Sequence, residues 1–247
     1  MLTVTYAQLK AVAPLGNATT IDAIASRSGE VFAKYGLTSL NRVWGFLSVV
    51  VEETGGLRVL SEDLNYTAQR AADVWPTRFH GAVEAVPYAH NPKLLADRVY
   101  GGRMGNTGPD DGWNFRGQGL LQITGRDNFA LLERLTGLPV LAQPGIVTDP
   151  AHLLECAVAL FVQYPGILEF CDKGDWHAVW ALVGSGRATG PLINLAAHEA
   201  ALKVVQRGVP VLVDVAPVAV KATTWGWVIV AAAALVAAGV AAWVYLR

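Results

Sequence analysis

The stretch VVVEETGGLRVLSEDLNY, residues 49–66, sets two carboxylates, Glu53 and Glu62, on either side of a helix-breaking triplet. Before it, Val43, Phe46, Leu47 and Val50 recur at helical spacing and predict a helix from about Leu40 to Glu53. If that helix continued to Glu62, the two carboxylates would stand about 14 Å apart along its axis and on opposite faces. Thr54, Gly55 and Gly56 prevent this, because glycine takes the left-handed C-terminal position without steric penalty. The chain is therefore expected to fold back and bring Glu62 across a cleft from Glu53.

A second stretch, VYGGRMGNTGPDDGWNFRGQGLLQITGRDNF, covers residues 99–129. Residues 101–119 hold seven glycines and no helical period, and so long an irregular segment inside a compact domain is usually functional. Elsewhere the chain reads as a string of helices. Thr5 with Gln8 forms a capping box that opens a first helix, and a second runs from about Thr20 to Tyr35 with Gly36 as its stop. Thr67, Asn91 before Pro92, Asp149 before Pro150, and Pro191 mark further starts. TGRDNFALLERLTGL predicts a helix from near Gly125 to just before Gly137. LRVLSEDL is the best short strand candidate. The expected fold is mainly α, with at most a small β-hairpin beside the cleft.

The 247 residues suffice for one sizeable domain with an appendage. A net charge of −1 leaves no basic footprint, so no nucleic-acid partner is expected. Mean hydropathy is +0.35, high for an enzyme in water, and the excess traces to the C-terminal end. No residue from Ala222 to Leu246 is charged, and a helix from Trp225 to Tyr245 would rise about 30 Å, the thickness of a bilayer core. Trp225 and Trp227 at one end, with Trp243 and Tyr245 at the other, read as interfacial belts. The alternative is an Ala-rich core helix. The division expected is a catalytic domain over 1–207, a linker over 208–221 containing two prolines, and a membrane anchor over 222–247 that contacts lipid through 222–246.

MLTVTYAQLK lacks the pattern of a signal peptide. Lys203, Arg207 and Lys221 against Arg247 alone favour a domain facing the cytoplasm, which conflicts with a substrate outside the membrane. Cys156 and Cys171 are expected as free thiols rather than a bridge. The five histidines, His80, His90, His152, His177 and His198, show no ligand spacing. They read as surface or capping residues, and neither metal nor cofactor is expected.

EETGG, SEDLNY, YGGRMGN and FRGQGLLQITGRDN, in that order, resemble glycoside hydrolase family 19, a chitinase-like fold also used by bacteriophage endolysins. LTVTYAQLKAVAP resembles the amino-terminal helix of the phage lysozymes in that family, and the similarity covers roughly residues 3 to 205. The resemblance implies a lysozyme-like helical domain in which Glu53 is the general acid and Glu62 the general base, with inversion at the anomeric carbon. On that mechanism the two carboxyl groups flank a water, about 6.5 to 9.5 Å apart. Packing beside Val50, Val51 and Leu57 would help Glu53 stay protonated. Register, not spacing, selects Glu53 over Glu52 and Glu62 over Asp63.

By the same resemblance Thr124 holds the attacking water with Glu62; as a residue it also reads as a helix N-cap. Gln122 and Asn128 match sugar-binding amides, and Tyr66, Arg103, Asn106 and Arg116 match the cleft wall. An ion pair with a cleft carboxylate is an equal expectation for Arg116. Trp113 either stacks on a sugar or packs, with packing favoured. Two departures stand out. Glu52 occupies the place of the family's histidine, and WALVGSGRATG lacks the Arg and Asn of the family's carboxy-terminal segment, leaving Arg187 as the remaining candidate.

The function expected is hydrolysis of the β-1,4 bond of bacterial peptidoglycan, as an endolysin tethered in the host inner membrane by a single C-terminal span. Peptidoglycan glycan strands and the lipid bilayer are its expected partners. A cytoplasmic orientation adds dependence on a holin-type protein. The rivals are a chitinase acting on N-acetylglucosamine polymers, a wall-binding or virion protein with weakened catalysis, and a tail that itself acts on the membrane.

Overall fold

The computed structural model describes residues 1–190, 192 and 194–215. Among these, no helix is long and apolar enough to cross a membrane. The span expected over 222–246, the linker beyond 215 and the helix start at Pro191 lie outside the described residues.

Strand β1 (Leu2–Thr3) leads into α1 (Tyr6–Val12), α2 (Ala18–Tyr35) and α3 (Leu40–Glu53). Local chemistry sets their ends. Thr5 and Gln8 close the capping box of α1. The Asn17 side chain accepts from the N–H groups of Thr19 and Thr20, which starts α2 two residues earlier than Thr20. Gly36 ends it in the left-handed conformation at φ 80°. Ser39 caps α3 by accepting from the Arg42 N–H.

A lobe follows, made of α4 (Ala68–Val74), α5 (Ala82–Ala85), α6 (Pro92–Tyr100) and α7 (Asp111–Asn114). Its own small core contains Leu64, Ala71, Phe79, Leu95 and Val99, with Tyr66, Trp75, Tyr100 and Trp113 packed against it. The chain continues through α8 (Arg126–Thr136), α9 (Leu153–Phe161), α10 (Ile167–Lys173), α11 (Trp176–Ser185), α12 (Leu195–Gly208) and β2 (Val213–Asp214).

The main core forms around α3, which packs against α10, α11 and α12. Its face of Val43, Phe46, Leu47, Val49 and Val50 is buried, and Phe46 meets Phe32 and Phe161 edge-on at centroid distances of 6.3 and 5.5 Å. Two indole N–H groups tie α3 to its neighbours: Trp44 donates to the Val209 carbonyl at 2.7 Å, and Trp180 to the Ser48 hydroxyl at 3.1 Å. Cys156 and Cys171 are free and buried, and burial pushes both thiols up to about 12.

Outside the site, the structure departs from the sequence reading at four places. LRVLSEDL forms no strand; its one sheet-like contact is an isolated bridge from Ser61 to Gln118, and the two-stranded sheet instead pairs the chain's beginning with residues 213–214. Asp149 does not open a helix. Its carboxylate accepts from the Ala151 N–H in a turn, and α9 begins at Leu153. The expected linker begins inside the packed domain, since α12 runs through Gly208, Val209 is fully buried and Val213 pairs with Thr3. His198 is no surface residue either: it stacks on Trp180 at 5.3 Å with its side chain only 13% exposed.

Candidate active site

The turn after Glu53 sets the site. Glu53 is the last residue of α3, and three consecutive residues beyond Thr54 have left-handed backbones: Gly55 at φ 56°, Gly56 at 81° and Leu57 at 59°. Such a run cannot continue a helix, and non-glycine residues enter it at a cost. Thr54 stabilises it from within. Fully buried, its hydroxyl donates to the Val50 carbonyl at 2.6 Å and accepts from the Leu57 N–H at 2.8 Å. Leu57 is itself buried, so its apolar side chain helps anchor the strained turn.

Emerging from the turn, residues 60–62 run beside 117–119. Gly119 donates to the Leu60 carbonyl and the Glu62 N–H donates to the Gly117 carbonyl, each at 2.8 Å. Gln118 then pairs back with Ile123, so the Gly-rich segment reverses at once and brings Gln122 and Thr124 to the same wall. Space at Gly117 is tight: a methyl there would lie 3.2 Å from Gln122 Oε1 and 3.4 Å from Glu62 Cβ and Oε2.

The Glu62 carboxylate is half-buried and accepts from the Tyr100 hydroxyl at 2.8 and 2.7 Å. Burial pushes its carboxyl above the usual range, against the opposing pull of the Tyr100 bonds, a Gly117 backbone bond and the Arg116 charge. Arg116 is held by stacking, with its guanidinium carbon 3.8 Å from the Trp113 ring centroid, and by donation to the Trp113 carbonyl at 2.8 Å. Burial lowers its pKa, and the Glu62 charge opposes that shift. Trp113 thus packs against the guanidinium, as expected.

The remaining expected residues divide by what their polar atoms already do. Tyr66 stacks on Trp75 at 5.4 Å, half-exposed, and Arg103 lies on the loop after α6, also half-exposed. Gln122 donates to the Gly119 carbonyl, while its Oε1 faces Gly117 beside Glu62. Asn128 donates to the Thr124 carbonyl at 2.8 Å, leaving its own oxygen available.

Asn106 is not a wall residue. It is 1% exposed, its Nδ2 donates to the Tyr100 carbonyl and its Oδ1 accepts from the Arg126 N–H, so it fastens the loop to α6 and α8 from behind. Nor does Thr124 cap a helix: α8 is capped by Gly125 without a side-chain bond, and the Thr124 hydroxyl donates to the Gln122 carbonyl at 3.1 Å. Glu52 turns from the site towards α12, with its Oε2 3.8 Å from His198 Nδ1.

Two residues were missed by the sequence reading. Tyr100 ends α6 just before the glycines, and its position before Gly101 was the only local sign of it. Asp111, buried, accepts from the Thr107 and Gly108 N–H groups and from Arg126 at 2.9 Å, organising the Gly-rich loop. Among the described residues no group of three or more His, Cys, Asp or Glu could hold a metal ion.

No protein-family model matches the sequence. A glycosyl hydrolase family 19 domain-containing protein of Haemophilus influenzae is 31% identical over 143 residues, which cover 57% of this chain and 69% of that relative. Chitinase C from Streptomyces griseus has a similar fold, with a TM-score of 0.51 and 17% identity over 83% of this chain and 91% of that one. A chitinase C mutant aligns with a TM-score of 0.52 at 15% identity over the same shares of the two chains. At these identities the two structures speak for the mainly helical fold alone.

Proposed function

The chain belongs to glycosyl hydrolase family 19, and we propose that it cleaves the β-1,4 bond between N-acetylmuramic acid and N-acetylglucosamine in bacterial peptidoglycan, with inversion. The observation that carries this reading is the setting of Glu62. Its half-buried carboxylate accepts a bifurcated hydrogen bond from Tyr100, its backbone is fixed to Gly117, and it stands on the segment that leaves the helix ending in Glu53. Glu53 donates its proton to the leaving glycosidic oxygen while Glu62 takes a proton from the attacking water, whose oxygen bonds to the anomeric carbon as the C–O bond breaks. A raised pKa suits Glu62 to this task, because a stronger base takes that proton more readily. Thr124 and Gln122 position the water and the sugar, with Asn128, Tyr66, Arg103 and Arg116 along the glycan.

The wider role is that of an endolysin leading to host-cell lysis. Its segment over 222–246 anchors it as a single span in the inner membrane, and a holin-type protein gives it access to the wall. Protease accessibility of the domain in intact spheroplasts tests this topology.

The test of the reaction is a lysis assay on permeabilised Gram-negative cells beside hydrolysis of neutral chitin oligomers, with the product anomer read by NMR. We expect wall cleavage with inversion, and a loss of roughly 10²- to 10⁴-fold for Glu53→Gln and for Glu62→Gln. Cleavage of chitin alone would sink the peptidoglycan assignment. Wall binding without turnover would make the chain a binding protein.

A further inference from the structure

The outer face of α1 and the end of α12 form a surface that the hydrolytic reaction does not use. The two helices pack together, closely because residue 208 is glycine: a methyl there would collide with Val12. Just beyond, the Gln8 amide donates to the Val211 carbonyl at 2.8 Å, which pins the chain leaving α12 to α1. Between the helices runs a groove, lined by Ala11, Val12 and Pro14 on one side and by Val204, Arg207 and Gly208 on the other.

This surface is apolar and cationic at once. Tyr6, Ala7 and Ala11 are exposed along α1, Leu15 just past it is 80% exposed, and Val211 is 59% exposed. Single exposed apolar side chains are ordinary, whereas a contiguous set rimmed by charge marks an interaction site. The charge here has one sign. Lys10, Lys203 and Arg207 are exposed, and neither residues 1–21 nor residues 200–213 contain an Asp or Glu. Lys203 and Arg207 stand one turn apart, with Arg207 Nε donating to the Lys203 carbonyl at 3.2 Å, and both line a second groove with Gln206. Among the described residues no carboxylate pairs with any of these three cations.

What covers such a face follows from where the chain goes next. Val215 donates to the Met1 carbonyl at 3.1 Å and stands four positions after Val211, beside α1. Only residues 216–221 separate it from the uncharged run that begins at Ala222. Seven steps of extended chain reach at most about 25 Å. Once that run enters a bilayer, the bilayer surface therefore lies no farther than this from Val215. Exposed apolar area and Lys or Arg near an anionic membrane both add to binding.

We propose that the face formed by α1 and the end of α12 docks the catalytic domain on an anionic lipid surface. Lys10, Lys203 and Arg207 meet the headgroup phosphates, while Leu15 and Val211 enter the boundary between headgroups and acyl chains. This rests on the reading that 222–246 spans the membrane, and it adds a peripheral contact to that anchor. Docking would fix the orientation of the tethered domain. The Asn17 N–H donates to the Leu57 carbonyl at 2.9 Å, so the connection after α1 is bonded to the turn that follows Glu53.

The experiment uses the full chain in vesicles of phosphatidylcholine alone, or of phosphatidylcholine and phosphatidylglycerol in equal parts. Cys156 and Cys171 are buried, with thiols pushed up to about 12, so a maleimide fluorophore reaches an introduced cysteine selectively. One label is carried by Ala11→Cys in the groove and another by Val83→Cys, a position 87% exposed on the small lobe. Headgroup-spin-labelled lipid should quench the Ala11 label in the anionic vesicles and leave the Val83 label bright. Lys203→Gln with Arg207→Gln should lower the docked-to-undocked ratio about fivefold per cation. High salt on the native surface should do the same without any substitution.

Equal quenching of the two labels, or quenching at Ala11 indifferent to phosphatidylglycerol, salt and both substitutions, overturns the docking face. Alkaline carbonate extraction reads the span separately. A chain that resists extraction but shows no lipid-dependent quenching keeps the anchor and loses the docking face. A chain released by carbonate, yet floating with anionic vesicles in a manner that depends on Lys203 and Arg207, loses the anchor and keeps the face.

Discussion

Glu62 is held in a balance between burial, which favours its neutral form, and Tyr100, which favours its ionised form. Tyr100→Phe removes the bifurcated hydrogen bond to the carboxylate and raises its pKa further. The acid limb of kcat should then move to higher pH, and kcat at neutral pH should fall roughly 10- to 100-fold. An acid limb that stays in place would show that Glu62 is not the titrating base. The same balance bears on stability. Because the folded carboxyl lies above its unfolded value, the folded state binds the proton more tightly, and stability falls as pH rises through the window between the two. Glu62→Gln should therefore melt higher than the native chain above that window, with the gap closing below it. Gly117→Ala is the steric counterpart. Its methyl presses on Gln122 and Glu62, so kcat should drop about tenfold while unfolding free energy shifts by no more than about 1 kcal/mol.

At the scale of the element, the turn from Thr54 to Leu57 decides whether the two glutamates share a site. Its left-handed residues are held by one buried hydroxyl that donates once and accepts once. Thr54→Val keeps the shape and leaves the buried Leu57 N–H unpaired, so denaturant unfolding should show a loss of about 1–3 kcal/mol. A loss under a few tenths would mean that Gly55 and Gly56 hold the turn unaided. Helix α6 has a comparable dual role. Tyr100 at its end bonds Glu62, and Arg98 one half-turn earlier bonds the Arg78 carbonyl, so one rigid element ties the Glu62 carboxylate to the Arg78 segment.

At the scale of the whole molecule, the two ends of the described chain close on each other. Leu2 and Thr3 pair with Asp214 and Val213, the amino terminus bonds the Asp214 carboxylate, and Trp44 on α3 donates to the buried Val209. Residues 209–215 thus belong to the catalytic domain. A chain ending at 215 should unfold cooperatively near the native midpoint. One ending at 208 loses the burial of Val209, worth about 1.5–3 kcal/mol, along with the Trp44 bond and the strand pair. Thermal unfolding of the two truncations compares them directly, and equal midpoints would contradict the role given to 209–215.

What the sequence determined by itself is local. The capping box at Thr5 and Gln8, the stop at Gly36, the extent of α3 and the break after Glu53 are all written in neighbouring residues, because caps and left-handed turns depend on side chains within a few positions. The family was legible for the same reason, as short contiguous blocks. What only the tertiary structure decided is non-local: that Tyr100, 38 positions away, bonds Glu62, and that Asn106 in the same motif as Arg103 faces inward. The strand-like LRVLSEDL became a single bridge, and an expected linker became a sheet partner. Which side of an irregular loop is buried, and which distant hydroxyl reaches a carboxylate, follow from how elements pack together, and no neighbouring residue carries that information.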